Sequence, residues 1–349
     1  MTLKIIQPEN TIIPKHRDVE KTHPGNNKNN IELNAKNQHA ENAERNAKWF
    51  AEIFALTTKN SQDALKYDGN CLKAWLDKNP DLILNTDLIN NEDVLKQYFT
   101  EMIDSELKRS TIVRQKTSIK KLLKGMMLAN PFTDNSLFND WLKLALNKKP
   151  SAKKQAQDMG NKSLEIINSK LSNDCPLDLR NKLILNIAFD ALLRAEEVCA
   201  IKIEHIDFSA ETLFIPSSKT DKKGEGEYLF LSNTTLTLIG VWLALLDVKN
   251  GYLLRSLSPK KHIRNAPIKY RTVLDAFRSA SVLAGKEYGY YTGHSGRVGA
   301  AVTLAESGAT LFDIQRAGRW ASEHMPAVYT KKASAKLTGM GKVAKQLGR

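Results

Sequence analysis

The sequence predicts a mainly α-helical protein of two domains, with a small β-sheet or hairpin in the C-terminal one. Three observations carry this. At 349 residues the chain exceeds the usual size of one compact domain. Apolar residues recur at helical spacing over most of its length. Only two short runs read as strands, "TLFIP" (Thr212 to Pro216) and "EYLFLS" (Glu227 to Ser232).

Residues 1–44 include "HPGNNKNNIELNAKNQHAEN", rich in Asn and poor in large apolar groups, so ordering them would not repay the entropy lost. A disordered N-terminal arm is expected there. Residues 45–147 then carry helical patterning, as in "AKWFAEIFAL" and "CLKAWL", where Trp75 and Leu76 follow Leu72 by three and four. Within this domain, "LKRSTIVRQKTSIKKLLKGMMLANP" can align Ile112, Ile119, Leu122, Leu123 and Met126 as an apolar stripe. Lys108, Arg109, Arg114, Lys116, Lys120, Lys121 and Lys124 supply seven cations, and no acid occurs from Leu107 to Thr133. Such a helix has one face for a core and another for phosphates, and Asn130 and Pro131 are expected to end it. Residues 148–158, with a proline, two lysine pairs and no strong apolar periodicity, read as a basic linker.

The second domain is expected to span residues 159–349. It opens with a helix through "RNKLILNIAFDALLRAEEVCAI", and the two strands follow, joined by the polar, glycine-bearing tip "SSKTDKKGEG". Further helices are expected around Leu236 to Leu246, Val273 to Leu283, Val298 to Ala305 and Leu311 to Ala317. Gly308 and Gly318 stand where helix C-caps belong, and Thr310 with Asp313 resembles a capping box. The C-terminal "SAKLTGMGKVAKQLG" can form one more helix, with Leu337, Val343 and Leu347 as apolar anchors.

Composition narrows the function. The formal net charge is +14, from 52 Lys plus Arg against 38 Asp plus Glu, and residues 1–44 are balanced, so the surplus belongs to residues 45–349. A surplus clustered in helical segments favours a polyanion such as nucleic acid over a merely solvated surface. Three scattered cysteines, Cys71, Cys175 and Cys199, give neither a disulfide framework nor zinc-ligand spacing. No cofactor or metal is expected. No apolar run reaches the ~20 residues of a membrane span, and "MTLKIIQPEN" lacks the apolar core of a secretory signal, so a cytoplasmic location is expected.

The residues able to do chemistry lie mostly between Arg194 and Tyr329. His294 and Arg297 are three apart at an expected helix start, where free backbone N–H groups favour an anion. Arg194 sits inside an otherwise apolar segment, where an unpaired charge is costly. A salt bridge to Glu197 one turn on is the plain reading, and the same pairing can orient the guanidinium toward a phosphate. Two arginines, a histidine, a lysine near the hairpin tip and a tyrosine suffice for phosphoryl transfer without a metal. The residues alone leave open which tyrosine and lysine act: Tyr288, Tyr290 and Tyr291 lie nearer His294 than Tyr329 does, and Lys222 and Lys223 flank Lys219.

"ALLRAEEVCAIKIEHID", "IPSSKTD", "TGHSGRVGAAVTLAESGATLFDIQRAGRW" and "AVYT" together resemble the tyrosine recombinases of the phage integrase family, in the form of the Cre-like subgroup. The resemblance covers roughly residues 45–349 and implies a two-domain clamp around duplex DNA. It implies that Arg194 and Arg297 clamp the scissile phosphate, with Glu197 holding the site together. By the same resemblance Lys219 protonates the leaving 5′ oxygen, His294 moves the nucleophile's proton, and Tyr329 attacks. Trp320 stands where many relatives have histidine; its indole N–H can donate to phosphate but cannot shuttle a proton. The partners implied are double-stranded DNA with inverted-repeat target sites and a nucleoid-associated homotetramer that exchanges strands through a Holliday junction, without ATP. Rival readings are a DNA-binding protein that keeps the fold without cutting, and a type IB topoisomerase or telomere resolvase with the same phosphotyrosine chemistry.

Overall fold

The helical spacing between residues 45 and 147 becomes a run of helices, most begun by a polar residue that satisfies free N–H groups. The computed structural model describes residues 45, 48–150, 155–217, 224–246, 248–335 and 339–348. Helix α1 (Lys59–Lys78) starts at Thr58, whose hydroxyl accepts from the Ser61 N–H, and α2 (Leu88–Asp104) starts at Asp87. The basic helix α3 (Arg109–Gly125) stops earlier than its sequence suggests. Asn130 and Pro131 do not end it; Asn130 caps α4 (Pro131–Asp134), where proline sits at a position needing no N–H donor. Asn135 then caps α5 (Ser136–Ala145).

These elements enclose a core of Leu72, Leu95, Phe99, Ile112, Ile119, Leu123 and Leu142. The apolar stripe of α3 is narrower than expected, since Leu122 and Met126 are only half-buried. Gln115 and Ser118 are buried instead. Each is satisfied: Tyr98 Oη donates to Gln115 Oε1 at 2.6 Å, and Ser118 Oγ donates to Asp68 Oδ2 at 2.6 Å. Buried polar groups of this kind persist because they are paired.

The chain divides into two units, Met1–Lys153 and Lys154–Arg349. In the second, α6 (Asn161–Lys170) precedes the central helix α7 (Pro176–Asp190). Leu179, Leu183, Ile184, Leu185, Ile187 and Ala188 are all buried, because α6 and four later helices of this unit pack around α7. The expected single helix through residue 201 is broken. Leu192 adopts a left-handed φ of 47°, and a new helix, α8 (Ala195–Ala200), begins after Arg194.

The short strands β1 (Ile206–Asp207), β2 (Thr212–Ile215) and β3 (Glu227–Phe230) form one antiparallel sheet in that order, with Leu213 opposite Leu229. The tip residues 218–223, including Lys219, Lys222 and Lys223, lie outside the described residues, as does the N-terminal arm. Helix α9 (Asn233–Leu246) buries Trp242. A second hairpin follows, β4 (Arg255–Leu257) with β5 (Ile263–Pro267), which periodicity does not reveal. Then come α10 (Tyr270–Ala284), α11 (Ser295–Glu306), α12 (Leu311–Gly318), α13 (His324–Ala335) and α14 (Gly339–Gln346). Gly299 lets α11 pass against Met159, whose carbonyl oxygen would lie 1.9 Å from an added Cβ. No helix among the described residues is long and apolar enough to cross a membrane.

Candidate active site

Arg194 is set by the break after α7. It is the N-cap of α8 rather than a residue inside a helix, which frees its side chain from the helical lattice. Glu197, in the first turn, accepts from the Arg194 backbone N–H at 2.9 Å and from Arg194 Nη1 at 2.8 Å. The plain salt bridge is therefore present. It is only half the story, because Arg319 also donates to Glu197, Nη2 to Oε2 at 2.8 Å and Nη1 to Oε1 at 3.4 Å. Burial alone would raise the Glu197 pKa; the Arg319 charge and hydrogen bonds from Arg194 and Arg319 reverse this and lower it.

Helix α11 contributes the next two groups. His294 is its N-cap residue and keeps exposed surface, while Arg297, 3 % exposed, points into the protein. Arg297 Nη1 donates to the Leu192 carbonyl and Nη2 to the Gly318 carbonyl. Those oxygens lie at or just past the ends of α7 and α12, where helix dipoles favour a cation. One N–H of each terminal nitrogen is used, leaving further donors for a ligand. The guanidinium carbon lies over the Trp320 ring, 4.2 Å from its centroid. Burial, then Arg194 and Arg319, lower the Arg297 pKa to about 9, which leaves it charged at neutral pH. Partial desolvation, then Arg297 and Arg194, also lower that of His294.

Tyr329 reaches this group from α13. Its ring packs beside Ala301, Ala305, Ile314 and Ala333, and lies 5.7 Å from the Trp320 ring. It is close enough to Arg297 to influence its charge. The other tyrosines near His294 in sequence lie elsewhere: Tyr291 is fully buried in the core, Tyr288 packs half-buried against that core, and the Tyr290 hydroxyl accepts from Arg278 Nε at 2.9 Å. Arg194, Glu197, His294, Arg297, Trp320 and Tyr329 thus form one connected set.

The electrostatics of that set favour an anion. Three guanidinium groups, Arg194, Arg297 and Arg319, act on the single carboxylate of Glu197. Positive charge left over beside a buried arginine is costly unless an anion arrives to balance it. No group of three or more His, Cys, Asp or Glu among the described residues is placed to hold a metal. A cavity of about 770 Å³ opens beside the cluster, between β3 and α12, lined in part by Leu192, Arg319 and Trp320. Arg194, His294, Arg297 and Tyr329 do not line it, so it neighbours the cluster without containing it.

Residues 157–336, which carry every one of these groups, match the phage integrase family. The chain belongs to that family. Among the tyrosine recombinases it is similar to the recombinase Cre of Escherichia phage P1, 26% identical over 204 residues, or 54% of this chain and 60% of that protein. The chain thus spans less than two thirds of that relative's length. An XerD integrase/recombinase homologue of Selenomonas ruminantium is 22% identical over 259 residues, covering 71% of this chain and 76% of the relative. The fold is shared with the XerH site-specific recombinase, solved with a palindromic difH substrate in a post-cleavage complex. That match has a TM-score of 0.57 and 17% identity, and covers 79% of this chain and 77% of the other.

Sequence reasoning about this member of the phage integrase family misses the Arg319 contact to Glu197. It puts the helix-ending position at Gly318, whereas Gly318 is the last helical residue of α12 and Arg319 takes the left-handed φ of 55°. The available signal is a lone arginine between a helix-ending glycine and Trp320. The seven basic residues of the first unit divide by partner. Arg109 donates to the Leu146 carbonyl, Arg114 to Asp68 Oδ2 at 2.6 Å, and Lys116 to Asn139 Oδ1 at 2.9 Å. Those three brace the unit's own structure. Lys120 Nζ also reaches the Phe132 carbonyl, at 3.4 Å, but Lys120, like Lys108, Lys121 and Lys124, keeps exposed surface, and Lys120, Lys121 and Lys124 share a side of α3.

Proposed function

We propose that this protein is a site-specific DNA recombinase whose Tyr329 hydroxyl attacks a backbone phosphate held by Arg194 and Arg297. The observation carrying this is the excess of guanidinium charge around Glu197, with Tyr329 and Trp320 packed against it. A phosphodiester matches the planar fork of arginine and supplies the missing negative charge. The developing charge on its nonbridging oxygens is what such donors stabilise.

In the cleavage step Tyr329 Oη forms a bond to phosphorus while the bond to the 5′ oxygen breaks. The tyrosine proton passes to His294, which is at the opening of the cluster and neutral at pH 7 because its pKa is lowered. Lys219 supplies a proton to the departing 5′ oxygen. Trp320 offers its indole N–H to the phosphate. The product is a 3′-phosphotyrosyl ester, so one phosphoester replaces another of similar energy and rejoining needs no ATP. Lys108, Lys120, Lys121 and Lys124 hold the duplex through its phosphates.

The assembly proposed is a homotetramer on inverted-repeat DNA that exchanges strands through a Holliday junction. Of the three expected anchors, Val343 and Leu347 are exposed along α14 and its end, with Met340 beside them, as a helix donated to a neighbouring subunit requires; Leu337 lies outside the described residues. The palindromic substrate of the XerH complex supports the inverted repeat. A nicked suicide duplex, selected from a randomised pool by covalent capture on the full-length chain, tests the chemistry. Tyr329→Phe is expected to bind that duplex and form no covalent complex. Undiminished capture by Tyr329→Phe would place the nucleophile elsewhere.

A further inference from the structure

We infer that Arg319 is a positioning residue of the cleavage site, holding both oxygens of Glu197 from the left-handed turn before Trp320 and so fixing the carboxylate that aims Arg194. The inference rests on the proposed cleavage by Tyr329.

The backbone is the first argument. A left-handed conformation is disfavoured for a non-glycine residue because its Cβ crowds the following carbonyl oxygen, and glycine would occupy it freely. Glycine is next door at 318, in ordinary helical conformation, while the bulkier Arg319 takes φ 55°. An unfavourable backbone at a site is retained when the surroundings over-determine it. Here the compensation is a two-point ion pair, with side chains 1% and 8% exposed for Arg319 and Glu197.

The second argument is how the turn is used. Three consecutive residues address three parts of the site: the Gly318 carbonyl accepts from Arg297, the Arg319 side chain grips Glu197, and the Trp320 ring lies against Arg297 and Tyr329. A left-handed residue at 319 sends these groups in diverging directions. Glu197 then has no slack, because Oε1 meets Arg194 Nη1 and Arg319 Nη1, and Oε2 meets the Arg194 N–H and Arg319 Nη2. Arg194, with 22% of its side chain exposed, is the guanidinium with room to move. Without Arg319, Glu197 is held only from its own helix and no longer fixes Arg194.

The test compares wild type, Arg319→Gly and Arg319→Lys on the selected suicide duplex, at saturating DNA and in a separate binding titration. Arg319→Gly relaxes the turn while removing the grip, so it is expected to fold. Its single-turnover cleavage is expected to fall about 10- to 100-fold with DNA affinity unchanged, the scale of loss from a misaimed catalytic group. Arg319→Lys, which keeps one charged interaction, is expected to recover part of that rate. Adding Arg319→Gly to Glu197→Gln is expected to cost little beyond Glu197→Gln alone, because both remove the same constraint. Wild-type cleavage by Arg319→Gly, or losses that multiply in the double variant, would overturn the inference and leave the cleavage reading standing. A wild-type chain that captures no duplex would overturn both.

Discussion

Gly318→Ala tests how tightly the turn before Trp320 is built. An alanine Cβ there would lie 1.8 Å from Trp320 Cζ3 and 2.3 Å from Cε3 and Cη2. Carbon atoms need about 3.5 Å, so the indole must retreat by about 1.7 Å. It has nowhere neutral to go, since one face carries the Arg297 guanidinium at 4.2 Å and the Tyr329 ring lies 5.7 Å away. Helix propensity alone favours alanine by about 1 kcal/mol, whereas forced overpacking costs about 1–3 kcal/mol. The net stability loss is therefore small, about 0–2 kcal/mol. The loss in rate is larger, because a displacement above about 1 Å in an active site is worth roughly 100-fold. Single-turnover covalent-complex formation on the selected suicide duplex reads the rate, and urea denaturation reads the stability. The colliding atoms belong to the six-membered ring of the indole, so adding Trp320→His to Gly318→Ala should recover part of the lost cleavage. Wild-type cleavage by Gly318→Ala would refute the packing of Trp320 against Arg297 and Tyr329.

Three further outcomes are expected. Replacing Lys120, Lys121 and Lys124 with alanine should weaken DNA binding and flatten its log-salt slope by about 0.9 for each phosphate no longer neutralised; Lys116→Ala, whose amine is held by Asn139, should leave the slope unchanged. His294 has its pKa lowered from 6.5, by partial burial and then by Arg297 and Arg194. Its neutral form is lost only as pH falls through that depressed value, so cleavage should hold down to below pH 6.5 and His294→Gln should remove this acid limb from the rate profile. Trp242→Ala, which empties a fully buried site and strips the Leu253 carbonyl of its 2.8 Å donor, should cost about 3–5 kcal/mol in urea denaturation with the m-value unchanged.

Helices are legible where apolar spacing and caps agree, as in the Thr310–Asp313 box that starts α12, where Asp313 Oδ2 accepts from the Thr310 N–H at 3.0 Å. The break between α7 and α8 is not legible, because Leu192 and not glycine or proline turns the chain. The same reason hides Arg319, whose left-handed turn follows a glycine that looks like the cap. The hairpin β4–β5 is hidden differently: its outer strand, Ile263–Pro267, is mostly exposed and alternates no apolar pattern. Among the candidate residues, Arg194, Glu197, His294, Arg297, Trp320 and Tyr329 stand out by family motif. Spacing alone does not choose Tyr329 over Tyr290 or Tyr291, since that choice depends on α13 returning to pack against α11. Charge is legible as a total but not by task. Arg109, Arg114 and Lys116, expected to bind phosphate, each also donate to a partner inside the first unit, a second task that the sequence does not show.

The most direct measurement is the identity of the residue that carries DNA. The full-length chain is trapped on the suicide duplex, digested with nuclease and protease, and sequenced by mass spectrometry. A nucleotide joined through its 3′ phosphate to Tyr329 is the expected adduct. The same adduct on Tyr288, Tyr290 or Tyr291, or a 5′ linkage, would contradict the account.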